Sequence, residues 1–404
     1  MVTLQYDPAL PEARSDPFPL YKRLREEDPV HWSEALDAWV LTRYDDVVAV
    51  LRDPRFSADR SRARNRLAQE AMAAAEEYGR PGRGNTMLTS DPPEHTRLRL
   101  LISKAFLPHA VEKLRPHIQE IADQLLDEAP EPGRLDVLMD YAYPLPLIVI
   151  AELMGVPAED RAQFKRWSDD IVATLGGSFS SPGLVERAAK SGHEISEYFR
   201  EVIAQRRKQP KEDLVSVLVA AADEGDDLSE GQLLATCIVA LIAGSETTRN
   251  LIANGMLALL RNPDQLEKLW SDSSLVEPAV EELLRYAGPV QCTARVAMED
   301  LEIDGHAVEA GQVVFTMVAA ANRDPAHFAD PERLDITREH NYHVAFGSGI
   351  HSCLGQPLAR LEAHIAFSTL ARRIPNPRLA TEALEWGPSF ILRGVKSLPI
   401  TFSA

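Results

Sequence analysis

A mainly α-helical fold with a small β region is predicted by three observations on this 404-residue sequence. Apolar residues recur at helical spacing through most of the chain. Strand signals are few and short. One segment, Leu228 to Arg261, offers nothing to stop a helix for roughly 30 residues, about 45 Å.

In chain order, the spacing predicts helices over Pro19 to Glu27, Asp45 to Arg52, His95 to Ala105, Val111 to Glu128 and Pro144 to Met154. Further helices are expected over Glu186 to Gln209, Leu228 to Arg261, Val276 to Ala287 and Leu354 to Arg373. Strands are expected at Trp39 to Thr42, Leu301 to Val308 with a turn at Asp304-Gly305, Val313 to Met317, and within Phe390 to Phe402. The long helix opens on Ser229 followed by Gln232, which reads as a capping box, and Pro263 ends it. Its middle, CIVALIAGSETTRN, is apolar on almost every face and then abruptly polar, and Gly244, Ser245, Thr247 and Thr248 are able to loosen the backbone ladder there. With no internal repeat and no collected linker, residues 1–404 read as one unit, β-containing over roughly 1–90 and helical over roughly 91–404.

Composition narrows the function. Lys and Arg total 43 against 61 Asp and Glu, a formal charge of −18, which argues against a protein that reads nucleic-acid backbones or binds anionic lipid. The N-terminus has no basic start followed by an apolar run, and the apolar stretches are shorter than a bilayer requires, so a cytoplasmic monomer is expected. Three cysteines, Cys237, Cys292 and Cys353, lack zinc-site spacing and imply no disulfide framework.

The decisive segment is Phe346-Gly347-Ser-Gly-Ile-His351-Ser-Cys353-Leu-Gly355. Its glycines allow positive φ and close approach to a flat ligand. The amides that open the following helix favour a thiolate, the form of cysteine that binds metal. A lone cysteine in such a turn is otherwise a small buried hydrophobe. Chance alone gives this pattern on the order of once in ten thousand such chains.

FGSGIHSCLG resembles the haem-binding signature of the cytochrome P-450 superfamily, and further motifs follow in the family's order over nearly the whole chain. The resemblance implies a single cytochrome P-450 fold holding haem b, with Cys353 as axial thiolate and iron ligand. It assigns haem contacts to His95, Arg99, Arg295, His351, Phe346, Gly347, Gly355 and Ala243. A buried Glu282/Arg285 pair with Arg333 is expected to brace the core. The same Glu-x-x-Arg spacing recurs at Glu94/Arg97, Glu112/Arg115 and Glu197/Arg200, where exposed helix pairs are the ordinary explanation.

On the long helix, Glu246 and Thr247 resemble the family's acid and alcohol pair, with Thr247 bonding dioxygen and Glu246 relaying protons. Glu246 stands where many members have Asp, one methylene shorter. A kink with the Thr hydroxyls bonded back to the preceding turn is the alternative. The pocket is expected along Ser57 to Leu88, Phe164 to Arg200, Val290, Phe390 and Ile391, with the arginines at 60, 62, 64 and 66 on a solvated loop or holding a carboxylate. The implied reaction inserts one oxygen atom into an apolar fatty acid, terpenoid, steroid or polyketide. No flavin or iron–sulfur segment follows Phe402, so a ferredoxin and its reductase are the expected donors, docking on basic residues between His95 and His117. A peroxide-driven peroxygenase and a non-catalytic haem sensor are the alternative functions.

Overall fold

The computed structural model describes residues 4–78, 86–174, 182–223 and 228–403. Parts of the two expected pocket segments, 79–85 and 175–181, lie outside the described residues.

The long helix is Glu230–Arg261, 32 residues or about 48 Å. Its capping box forms: Gln232 N–H donates to Ser229 Oγ at 3.2 Å, and Ser229 N–H donates to Gln232 Oε1 at 3.0 Å. By length and composition this helix could cross a membrane. Leu233, Leu241, Leu251 and Met256 are instead buried in the main core. It packs against Pro144–Leu153, Val276–Ala287 and Gln356–Arg373. At Gly244 a Cβ would stand 2.9 Å from Ile150 Cγ1, so the crossing with Pro144–Leu153 admits only glycine without rearrangement.

A five-stranded sheet runs Val30–Ser33, Ala38–Leu41, Val313–Thr316, Thr293–Ala297, Phe56–Ser57. Ala38–Leu41 pairs parallel with Val313–Thr316, Trp39 opposite Val314, while Thr293–Ala297 pairs antiparallel with Thr293 opposite Thr316. Two of its strands therefore come from beyond residue 290 and tie the first 60 residues to the segment that precedes the cysteine loop.

Other elements differ from expectation for identifiable reasons. Val111 to Glu128 divides into Pro108–Glu112 and Arg115–Asp127, because Pro116 in a first turn begins a new helix rather than continuing one. Pro263 likewise ends the long helix and at once opens Pro263–Ser271. Helices Arg66–Tyr78, Arg161–Val172 and Leu214–Asp223 also form. Within Phe390 to Phe402 only Pro399–Thr401 is a strand, with single bridges at Leu392 and Val395.

Candidate functional site

The cysteine loop is built to hold one conformation. Cys353 N–H donates to Phe346 O at 2.8 Å, closing the loop, and Gly347 N–H donates to Val344 O at 2.8 Å. Gly349 has φ +73°, and a Cβ there would come within 2.6 Å of Leu51 O, so only glycine fits. Arg52 Nε anchors Ser348 Oγ at 2.8 Å. The Phe346 ring lies under Arg360, whose Cζ is 4.6 Å from its centroid. Arg360 pairs with Glu281 at 2.7 Å, and His343 meets the same carboxylate at 3.2 Å. Burial opposes ionisation of Glu281, but the His343 and Arg360 hydrogen bonds hold it down at about 2.

Gln356–Arg373 begins just after the cysteine. Burial pushes the Cys353 thiol up, while the Gly355 and Gln356 amides and the Arg99 and Arg360 charges pull it back. The side chain is exposed yet desolvated by the protein around it. Ala243 is likewise exposed in the middle of the long helix, between buried Leu241 and Ser245.

A cluster of basic groups adjoins this loop. Arg99 Nη2 reaches Ser352 Oγ at 3.4 Å, and the rings of His95 and His351 lie 4.2 Å apart. Both ring nitrogens of buried His95 lack a partner among the described residues. Burial, with Arg295 and His95 next, pushes His351 down to about 4. Burial, and then the Arg60 charge, lowers Arg295 to about 10. Cations that repel one another around orphaned donors suit a dianion such as the two propionates of a haem.

Glu282 and Arg285 are both 0 % exposed, whereas Glu197 and Arg200 at the same spacing are 68 % and 44 % exposed. Glu282 Oε1 accepts from Arg285 Nη2 at 2.7 Å and from Asp335 N–H at 2.9 Å. Its Oε2 accepts from Arg285 Nε at 2.8 Å, Arg338 Nε at 3.1 Å and Asn341 Nδ2 at 3.1 Å. The second guanidinium on Glu282 is therefore that of Arg338, not Arg333. Arg333 enters through its carbonyl, which accepts from Arg285 Nη2 at 3.0 Å. The turn at Asp330, φ 45°, aims that backbone at Arg285, and the turn at Asp335 then brings Arg338 round.

On the long helix, Thr247 Oγ1 donates to Ala243 O at 2.9 Å and Ser245 Oγ to Leu241 O at 3.1 Å, and the helix stays continuous. Glu246 is buried; Oε1 accepts from Arg249 Nη2 at 2.7 Å and Asn250 Nδ2 at 3.1 Å, and Oε2 has no partner among the described residues. Burial raises its carboxyl, against the pull of Arg249. Glu246, Arg249, Lys165 and Asp169 line a cavity of about 270 Å³. Arg249 also meets Asp169 at 3.1 Å. Glu246/Arg249 is a further Glu-x-x-Arg, a signal that the sequence carried and spacing alone did not single out.

Gln291 N–H donates to Ile391 O at 2.8 Å and Val290 bridges Leu392, which brings Val290 and Ile391 together. Phe390 packs on Phe315 with centroids 5.7 Å apart. The basic stretch expected to dock a ferredoxin is partly engaged: Arg97 pairs with Glu94 at 2.7 Å, Arg115 with Glu112, and Arg99 points to the cysteine loop.

The cysteine loop with its adjoining basic cluster suits a haem protein. The cytochrome P450 family model matches residues 38–374, and the chain belongs to that family. It is 42 % identical over 412 residues to polyketide biosynthesis cytochrome P450 PksS of Bacillus subtilis, covering 100 % of each chain. To cytochrome P450 monooxygenase PikC of Streptomyces venezuelae it is 45 % identical, over 96 % of this chain and 91 % of that one. The crystal structure of myxobacterial cytochrome P450 CYP267B1 in complex with myristic acid superposes at TM-score 0.91, with 42 % identity over 98 % and 99 % of the chains. The protein is accordingly an oxidoreductase of the monooxygenase type that binds haem b through a cysteine thiolate.

Proposed function

We propose that Cys353 is the thiolate ligand and that the enzyme places one oxygen atom of dioxygen into an apolar small molecule of the fatty-acid, terpenoid, steroid or polyketide class. The observation that carries this is the exposed Cys353 sulfur, held by the Gly355 and Gln356 amides beside the Arg99, Arg295, His95 and His351 cluster. Bound there, haem supplies reductive activation of dioxygen, with thiolate donation favouring O–O cleavage.

The protein's residues do the remaining work. Arg99, Arg295, His351 and His95 hold the propionates, and Glu282, Arg285 and Arg338 fix the core on which the cysteine loop rests. The Thr247 hydroxyl, which donates to Ala243 O, would be the donor offered to dioxygen on this helix. Glu246 supplies protons from its raised carboxyl, with Arg249 and Asn250 fixing one oxygen and leaving the other available. Val290, Phe390 and Ile391 line the substrate's path and exclude water. Electrons come from a ferredoxin and its reductase, docking near exposed Lys113, Leu100 and Ile350, and the enzyme works in the cytoplasm.

A screen of apolar compounds for displacement of ferric-haem water, followed by product analysis with ferredoxin and reductase or with peroxide, tests this function. Products formed only with the reductase pair support it. Products formed only with peroxide replace it with a peroxygenase, and none with either leaves a binding protein.

A further inference from the structure

Four arginines lie close together between Asp59 and Leu67; two of them, Arg62 and Arg66, have side-chain partners at the surface, and a third, Arg64, lies along Gly311. Arg62 meets Asp59 at 3.5 Å. Arg64 packs across Gly311, and its N–H donates to Gly311 O at 3.0 Å. Arg66 Nη2 donates to Ala35 O at 2.7 Å and its Nε approaches Glu70 at 3.8 Å.

Arg60 differs from all three. Asp59, the nearest carboxylate in sequence, is engaged by Ser61 N–H at 3.0 Å and Ser61 Oγ at 2.6 Å as well as by Arg62. Among the described residues the Arg60 side chain has no hydrogen bond or ion pair. Like Cys353, it is exposed yet desolvated by the protein around it. Its turn packs on Thr293–Ala297, the strand that carries Arg295. Burial lowers Arg60 from its ordinary range, and among the described residues Cys292, not a carboxylate, opposes this.

The surroundings are apolar. The three-residue turn Arg60–Arg62 packs against Thr293–Ala297. Ala63 and Leu67 just beyond it join Phe390, Ile391, Ala294 and Cys292 in one cluster. With Arg99 and Arg295 assigned to the two propionates, Arg60 is a surplus desolvated cation, and such a charge is costly unless an anion meets it.

We propose that Arg60 anchors the anionic end of the substrate, and that the substrate is a long apolar molecule ending in a carboxylate. This rests on the haem-thiolate reading above and narrows its substrate class. The carboxylate pairs with the guanidinium, and the chain lies along Phe390 and Ile391 toward the iron.

The test uses purified holoenzyme whose ferrous carbon monoxide spectrum is first checked for thiolate ligation, so failure of the underlying reading appears there. Tetradecanoic acid and 1-tetradecanol are then compared by equilibrium dialysis and by the ferric spectral shift, on wild type, Arg60→Leu and Arg60→Lys, with haem content and circular dichroism recorded for each. The expected result is tighter binding of the acid to wild type, weakened about 10-fold or more in Arg60→Leu and largely kept in Arg60→Lys, with alcohol binding unchanged. Equal binding of acid and alcohol to wild type overturns the proposal. So does equal weakening of both in Arg60→Leu. Loss of haem from a folded Arg60→Leu also overturns it, because Arg60 would then serve a propionate.

Discussion

Two buried glutamates, each with an arginine three residues on, have opposite fates. Glu282 receives five donors across its two oxygens, from Arg285, Arg338, Asn341 and the Asp335 amide. Glu246 receives two, both on one oxygen, and borders a cavity. The same spacing thus builds a saturated brace beside the cysteine loop and a half-satisfied acid on the opposite helix. Saturation marks groups that hold the fold, and a buried orphan marks a group kept for something that binds or moves.

Cutting the brace gives the largest effect. Arg285→Ala leaves a buried carboxylate short of two hydrogen bonds and should cost about 3–5 kcal/mol in urea unfolding, with haem content falling alongside. Arg338→Ala, removing one charged donor, should cost about 1.5–3 kcal/mol. Arg333→Ala should stay within about 0.5 kcal/mol, since only its main chain is used. Equal losses for Arg333 and Arg338 would return the brace to the arrangement expected from sequence.

On the opposite side the pattern should invert. Glu246→Gln and Thr247→Ala should lower product formation about 100-fold while unfolding shifts by no more than about 1 kcal/mol. A loss of stability matching that of Arg285→Ala would make Glu246 a second brace and remove the contrast.

Much of this was legible in sequence where local chemistry decides the outcome. Ser229 and Gln232 cap the long helix, and the glycines of the cysteine loop take the conformations their lack of Cβ permits. What stayed hidden depends on the path of the chain between elements. Arg333 and Arg338 both follow Pro331, and only two successive turns decide which side chain reaches Glu282. Arg60 and Arg62 are alike in sequence, yet the capped turn at Asp59 sends one inward and pairs the other. Pro263 reads equally as a stop and as the first turn of a new helix, and here it is both.

A third buried glutamate sharpens the rule by pH. Among the described residues no side chain closes a hydrogen bond of normal geometry on either oxygen of Glu362, and burial raises it from 4.5 to about 8, with the Thr248 hydroxyl opposing. The folded state therefore keeps a proton that the unfolded state loses in this window. Stability should fall as pH rises from 4.5 to about 8, by up to about 1.4 kcal/mol per unit. Glu362→Gln should flatten that slope in unfolding series across pH, and an unchanged slope would place its source elsewhere.

The smallest effect is expected at the surface. Lys113→Glu should slow electron transfer from an acidic ferredoxin severalfold at low ionic strength and hardly at all at high salt. Identical stopped-flow rates at both would remove Lys113 from the docking face.

The central claim, that Cys353 holds the iron on the braced side of the molecule, is tested most directly by the ferrous carbon monoxide spectrum of wild type, Thr247→Ala and Cys353→Ser. The prediction is a thiolate-type band in the first two and its loss in the third. An imidazole-type band in wild type, or a thiolate band that survives in Cys353→Ser, would contradict it.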